Sequence, residues 1–242
     1  MLGAMTNAGP PASLWLRGED TKRGPRPAYT LKQLADTCVR IADDQGLRAV
    51  SMRGVAQELG TAAASLYRYV NGKDDLMALM ADSVGAEYDY PPLTGDVRTD
   101  VLAIAVQSRA IHRRHPWLSQ IQPTGLGPQS MRYLDQMVGA LSPTGLSAPA
   151  TMTGIALLTG WVTSFAAQES AGMSARSSAN SGAEHIGALL AHGDYPHLAA
   201  LYASTDISTP TTESAPTTES IDNNTAFEAG IDALLFGIAP NN

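Results

Sequence analysis

Residues 51–70 read SMRGVAQELGTAAASLYRYV. Ser51 has the side chain of a good N-cap, and Met52, Val55, Ala56 and Leu59 follow at the spacing of one helical face. Gly60 interrupts that face, and a second short helix is expected over about 62–69, carrying Leu66 and Tyr67. Two short helices about a glycine turn are the organisation of a helix-turn-helix, whose second helix offers its outer face to the major groove of DNA.

The flanks extend the pattern. Thr30 is a good N-cap, and Leu31, Leu34, Ala35, Cys38, Ile41 and Ala42 form the apolar face of a helix over 30–44 that stops near Gly46. After the Asn71-Gly72 turn signal a fourth helix begins at Lys73, with Asp74 and Asp75 in its first turn, where the helix dipole favours acids. Tyr90-Pro91-Pro92 punctuates the chain. Beyond it helices are expected over 96–114, 116–122, 128–141, 147–171, 180–192, 196–204 and 223–238, and strand-type alternation is absent. The fold class is all-α. Residues 208–220 repeat Pro-Thr-Thr-Glu-Ser and carry Ala215 as their sole apolar side chain, so 205–222 is expected to be a mobile loop.

The 242 residues suit one large domain or two modest ones. Lys+Arg number 16 against 23 Asp+Glu, a net charge of −7. That sum divides unevenly: residues 1–80 hold ten against eight, a net of +2, and residues 81–242 hold six against fifteen, a net of −9. A mildly basic head on an acidic body points the head towards an anion. The single cysteine, Cys38, excludes an intrachain disulfide and any multi-cysteine metal site. No secretory signal is read at the start, where Pro10 and Pro11 interrupt, and the protein is expected to be cytoplasmic. Residues 150–167 are free of charge but carry five Thr/Ser and two Gly, and read as a buried helix rather than a membrane span.

From Thr30 to Asp82 the chain resembles the N-terminal domain of the TetR family of bacterial repressors. Leu59-Gly60, Leu66-Tyr67-Arg68-Tyr69-Val70 and Lys73-Asp74-Asp75-Leu76 stand in that family's order and spacing. Arg113-Arg114-His115-Pro116-Trp117-Leu118, and the end of the chain from Ala226-Phe227 through Leu234-Leu235-Phe236-Gly237-Ile238, resemble the subgroup whose C-terminal domain is like that of the tetracycline repressor. The resemblance implies a DNA-binding regulator released from its operator by a small molecule. It also implies a homodimer in which helices 147–171 and 223–238 pair with their copies. The implied organisation is a flexible arm over 1–28, a helix-turn-helix domain over 29–72, a connecting helix and loop over 73–95, and a ligand-binding and dimerisation domain over 96–242.

In this frame Lys73 suits a phosphate oxygen by charge and by its place at a helix N-terminus, and Tyr67 and Ser65 match positions that reach phosphates. Arg53 matches an arginine that reads a base edge, a contact that can take guanine bidentately. The second helix opens with Thr61-Ala62-Ala63-Ala64, where relatives often place larger polar groups. Alanine offers contact with a thymine methyl only, so specificity falls more on Arg53, Ser65, Arg68 and DNA shape. Arg23-Gly24-Pro25-Arg26-Pro27 is similar to the core of minor-groove AT-hooks, with Pro25 inserted. Arg23 and Arg26 are therefore candidate groove contacts, the alternative being a sticky, non-specific tail.

For an effector pocket the candidates are Ile104, Trp117, Met131, Met152, Trp161, Phe165 and Met173, side chains that serve an adaptable cavity or an ordinary core alike. Around 119–122 there is no histidine to match the one that helps hold a magnesium-chelated drug in the tetracycline repressor, which argues against tetracycline as effector. His112 with His115, and His185, His192 and His197 with Asp194, match no compact metal motif, so no metal and no cofactor are expected. Gly172-Met173-Ser174-Ala175-Arg176 lacks the last glycine of a nucleophile elbow, and Gly72-Lys73 lacks the prefix of a phosphate loop, so an enzyme is not expected. Two other readings stay open here: a small-molecule-binding protein or enzyme with a vestigial helix-turn-helix, and a regulator that answers to no effector.

Overall fold

The computed structural model describes residues 14–15, 28–122, 125–172, 187–190, 192–204 and 222–239. Among these every regular element is helical. The head comprises α1 (Leu31–Gln45), α2 (Met52–Glu58), α3 (Ala63–Leu66) and α4 (Lys73–Gly85), and the body α5 (Val97–Arg114), α6 (Pro128–Leu141), α7 (Ala148–Ser170), α8 (Pro196–Ser204) and α9 (Asn223–Ile238). Short 3₁₀ turns lie at Leu47–Ala49, Pro116–Gln120 and Ser142–Thr144.

Local chemistry sets the helix starts. Thr30 closes a capping box with Gln33 at the head of α1, and Ser51 accepts from the Gly54 N–H to cap α2. Asp96 caps α5 by accepting from the Thr99 N–H at 2.8 Å, and Asp222 caps α9 by accepting from the Thr225 N–H at 2.7 Å. The α6 cap comes from another helix. Asp82 of α4 is buried and accepts from the N–H groups of Gln129 and Ser130, each at 2.9 Å, satisfying the free donors at the start of α6. A Cβ at Gly127 would lie 2.3 Å from that carboxyl, so glycine is what lets the two helices meet there.

Two apolar cores result. The head core joins Leu34, Cys38, Ile41, Val55, Leu66, Val70, Leu76 and Met80. Helix α4 is therefore built into the head as well as leading out of it. The body core joins Val101, Ile104, Met137, Leu141, Leu158, Phe227 and Ile231 from α5, α6, α7 and α9. Ile111 and Trp117, which follow from the body side, sit in the head core and bridge the two. Leu14 is buried in the head core as well, with Trp15 packed beside it, and the rest of the arm read over 1–28, up to residue 28, lies outside the described residues.

Helix α7 departs from the buried helix read in the sequence. It is long and apolar enough to cross a membrane by length and composition, yet only 33% of its apolar window is buried inside the chain. Gly154, Ile155, Leu158, Val162 and Ala166 face the body core, while Met152, Ala156, Leu157, Gly160 and Ser164 form an outward strip at three- and four-residue spacing. The reason is that one chain supplies neighbours for one side of this helix only.

Candidate nucleic-acid interface

The helix-turn-helix is held by contacts that leave its outer surface open. Gly60 adopts φ +65°, which turns the chain sharply between α2 and α3. Gly54 lets α2 lie against the preceding 3₁₀ turn, since a Cβ there would come within 2.7 Å of the Ala49 carbonyl oxygen. Tyr29 donates its hydroxyl to the Leu59 carbonyl at 2.8 Å and its backbone N–H to the Tyr69 hydroxyl at 3.2 Å. Its ring meets Tyr69 edge-on at 6.5 Å, tying the start of α1 to both ends of the reading unit. An Arg40–Glu58 ion pair at 2.8 Å joins α1 to α2.

Helix α3 is shorter than the 62–69 expected, spanning Ala63–Leu66 and continuing as turns through Tyr69. Ala62 offers no side chain to cap it. At its far end Val70, buried in the head core, and the Asn71-Gly72 turn draw the chain away from a helical path. Arg53, Ala62, Tyr67, Arg68 and Lys73 are exposed, and Thr61, Ala63 and Ser65 half-buried. Tyr67 is 58% exposed, high for an aromatic ring with a core beside it. None of the ion pairs among the described residues takes up Arg53, Arg68 or Lys73. Three cations outside any ion pair, a phenol and a half-buried hydroxyl thus lie on or beside the helix-turn-helix.

Lys73 opens α4, whose N-cap Gly72 provides no side-chain bond to the free N–H groups of the first turn. Asp75 is engaged instead with Asn71, accepting from its backbone N–H at 2.7 Å and its amide at 2.8 Å, which fixes the entry to the helix. The helix start and the lysine together suit a phosphate oxygen. Arg23 and Arg26 lie outside the described residues.

The seven pocket candidates separate. Ile104, Trp161 and Phe165 share the body core, with the Trp161 and Phe165 rings 5.5 Å apart. Trp117 does not belong with them. It lies in the head core, where its indole N–H donates to Asp43 at 2.6 Å, because the Pro116–Gln120 turn folds back towards α1. Met131 and Met152 are about half exposed on the surface of the chain, and Met173 lies outside the described residues. A groove of about 330 Å³ between α1 and α4 and one of about 280 Å³ beside Lys73 are lined by none of the seven.

The body has a polar centre that no local motif in the sequence marks. Arg109 is buried, donates to both oxygens of Glu169 at 2.8 and 2.5 Å and to the Asn224 side-chain carbonyl at 2.9 Å. Its guanidinium stacks 5.0 Å from the centre of Phe165 and 4.7 Å from that of Phe227, so one side chain joins α5, α7 and α9. The Arg109 hydrogen bond holds the Glu169 carboxyl below its ordinary pKa. Its position four residues after Ala105, on the apolar face of α5, was the available signal.

The model of the tetR family of bacterial regulatory proteins matches residues 34–80, and that of the tetracyclin repressor-like C-terminal domain matches residues 91–241. The second alone covers more than half of the chain. The chain belongs to the TetR family. Among its relatives, the transcriptional repressor DrrR1 of Streptomyces coeruleorubidus is 40% identical over 153 residues, which cover 62% of this chain and 57% of DrrR1. The chain thus spans little more than half the length of that relative. A transcriptional regulator of Saccharopolyspora erythraea is 30% identical over 199 residues, covering 80% of this chain and 83% of that one. Among solved structures, the TetR family protein ActR of Streptomyces coelicolor in complex with (S)-DNPA superposes with a TM-score of 0.70 at 28% identity, covering 90% of this chain and all of ActR. ActR in complex with actinorhodin gives a TM-score of 0.67 at 29% identity, covering 87% of this chain and 95% of ActR. In this TetR-family chain the head with its exposed cations corresponds to the regulatory-protein match, and the helical body to the repressor-like one.

Proposed function

We propose that the protein is a transcriptional repressor that binds a near-palindromic operator as a homodimer and leaves it when a small organic molecule enters the body. The observation that carries this reading is the exposed, unpaired set Arg53, Tyr67, Arg68 and Lys73 around a glycine-turned helix pair, on a chain of the TetR family. Lys73, Tyr67 and Ser65 contact phosphates and set the register of the head. Arg53 and Arg68 read base edges, and Thr61, Ala62 and Ala63 allow the helix close to the groove floor. Arg23 and Arg26 add minor-groove contacts in A·T-rich flanks.

The outward strips of α7 and α9 form the dimer face in this reading. Leu157 and Met152 on α7 and Phe236 on α9, which is 73% exposed, are side chains a lone chain leaves in water. Ala156, Gly160, Ala229 and Ala233 beside them permit close approach of partner helices. A ligand-binding role for the body is supported by ActR, a full-length structural relative described with (S)-DNPA and with actinorhodin. Ile104, Trp161 and Phe165 are the retained pocket candidates. The family points away from an enzyme, to a cytoplasmic regulator. Footprinting of the DNA upstream of the protein's own coding sequence tests the reading: a two-fold symmetric protected site supports it, and no protection at low salt contradicts it.

A further inference from the structure

Between α5, α6, α7 and the connection that leaves α4 runs a seam of hydrogen-bonding side chains that neither the DNA contacts nor the pocket candidates use. Tyr88 donates its hydroxyl to the Ser108 hydroxyl at 2.8 Å, and the Tyr133 hydroxyl lies 3.2 Å from that of Thr159. His112, one turn on from Ser108, sets its Nε2 3.4 Å from the hydroxyl of Thr163, one turn on from Thr159. The phenol rings join the two sides: Tyr133 lies 5.2 Å from Tyr88, which stacks on Tyr90 at 5.7 Å. The Tyr90 hydroxyl is buried, and none of the described residues meets it with a hydrogen bond.

The seam offers both donors and an acceptor. Burial pushes the Tyr90 phenol pKa up to about 12 and raises those of Tyr88 and Tyr133, so all three keep their protons. The Ser108 carbonyl only accepts, so at 2.9 Å it takes the proton of His112 Nδ1, and burial favours the neutral ring, which leaves Nε2 as an acceptor. Formal charge beside the seam is engaged: Asp82 caps α6, and Arg132 lies over the Tyr90 ring at 4.6 Å. Tyr88 and Tyr90 stand on the connection between Gly85 and Val97, outside any helix, so their rings can part from Tyr133 without unwinding an element. Both are half-buried, which brings the seam to the surface.

An unmet buried hydroxyl costs the fold stability, and a partner from outside the chain accounts for it. Resting on the repressor reading above, we infer that this seam receives the small molecule, and that the molecule is an uncharged planar aromatic carrying hydroxyl and carbonyl groups. Its rings stack among the phenols, its carbonyl accepts from Tyr90 or Tyr133, and its hydroxyl donates to His112 Nε2. A cationic or carboxylate-bearing guest finds no counter-charge there. Ile104, one turn before Ser108, shares this face of α5, whereas Trp161 and Phe165 pack on the α9 side of α7 against Phe227.

The test uses the full chain without DNA. It is titrated by calorimetry with a panel of hydroxylated flavones, naphthoquinones and anthraquinones, and with ethidium and anthracene-2-carboxylate as charged aromatics of like size. Binding is expected among the neutral hydroxylated probes and not for the charged pair. Y133F and H112L are expected to weaken that binding about tenfold each, the size of one hydrogen bond. Y90F is expected to weaken it equally yet leave thermal stability no lower than wild type, because the lost hydroxyl has no partner within the described chain. A purely structural tyrosine would not separate the two readouts. No binding of any neutral probe, equal affinity for the charged pair, or undiminished affinity in Y90F and Y133F overturns the inference. A probe that binds through the seam but does not release the footprinted upstream duplex defeats the repressor reading instead and leaves the seam standing.

Discussion

At the scale of single residues, charges divide into those the fold consumes and those it leaves free. Arg40, Arg98, Arg109 and Arg114 are paired with acids, whereas Arg53, Arg68 and Lys73 are not. Replacing Lys73 by alanine is expected to weaken binding to all duplexes about equally and to reduce the slope of log affinity against log salt by about 1 per head, measured by a salt titration. Replacing Arg53 by alanine is expected to cost about 1–3 kcal/mol on the specific site and to relax preference at one base pair of each half-site. In the body, R109L leaves the half-buried Glu169 carboxylate without its cation, with the Asn223 amide still donating to it, and is expected to cost about 3 kcal/mol of stability in thermal or urea unfolding. Because Arg109 depresses the Glu169 pKa, its contribution is present above the ordinary glutamate value of 4.5 and is lost as pH falls through the lower folded value. The stability gap between wild type and E169Q is therefore expected to narrow below pH 4.5. The free cations were legible from charge and spacing because they lie in a short local motif. Arg109 was not, because its partners Glu169 and Asn224 are 60 and 115 residues away in the chain.

Elements were legible wherever a cap and an apolar period agreed. The spans of α6, α8 and α9 match those read from the sequence, α1 and α7 differ by a residue at each end, and α5 starts one residue later. Helix α3 did not follow, since its length is set by burial of Val70 in a core assembled from distant residues, which no local period records. The cap of α6 was equally hidden, because its acceptor, Asp82, comes from α4. D82A is expected to lower stability by roughly 1–3 kcal/mol, the range for a lost cap that leaves buried donors unsatisfied, while D82N loses less, both read by thermal unfolding. G54A is expected to destabilise the head more than a surface Gly→Ala change, since its new methyl meets backbone oxygen that has no room to yield.

For the whole molecule, a net charge of −7 conceals a head that exposes Arg53, Arg68 and Lys73 outside any ion pair and an acidic body whose exposed surface includes apolar side chains on two helices. Only 33% of the apolar window of α7 is buried within a single chain, and in the proposed dimer a second copy covers its outward strip. L157D is expected to shift the protein from dimer to monomer in sedimentation velocity and to reduce operator affinity with it, because two heads then bind without linkage. The proposed dimer face lies within the charge-free stretch 150–167, but periodicity could not separate a core helix from an interface helix. In the proposed dimer, paired heads read a two-fold DNA site through Arg53 and Lys73. The most direct measurement is affinity for the footprinted upstream duplex across a salt series, for wild type, R53A and K73A. Steep salt dependence is expected for wild type, with a shallower slope in K73A and loss of site preference in R53A. Equal, salt-insensitive binding by all three proteins would contradict it.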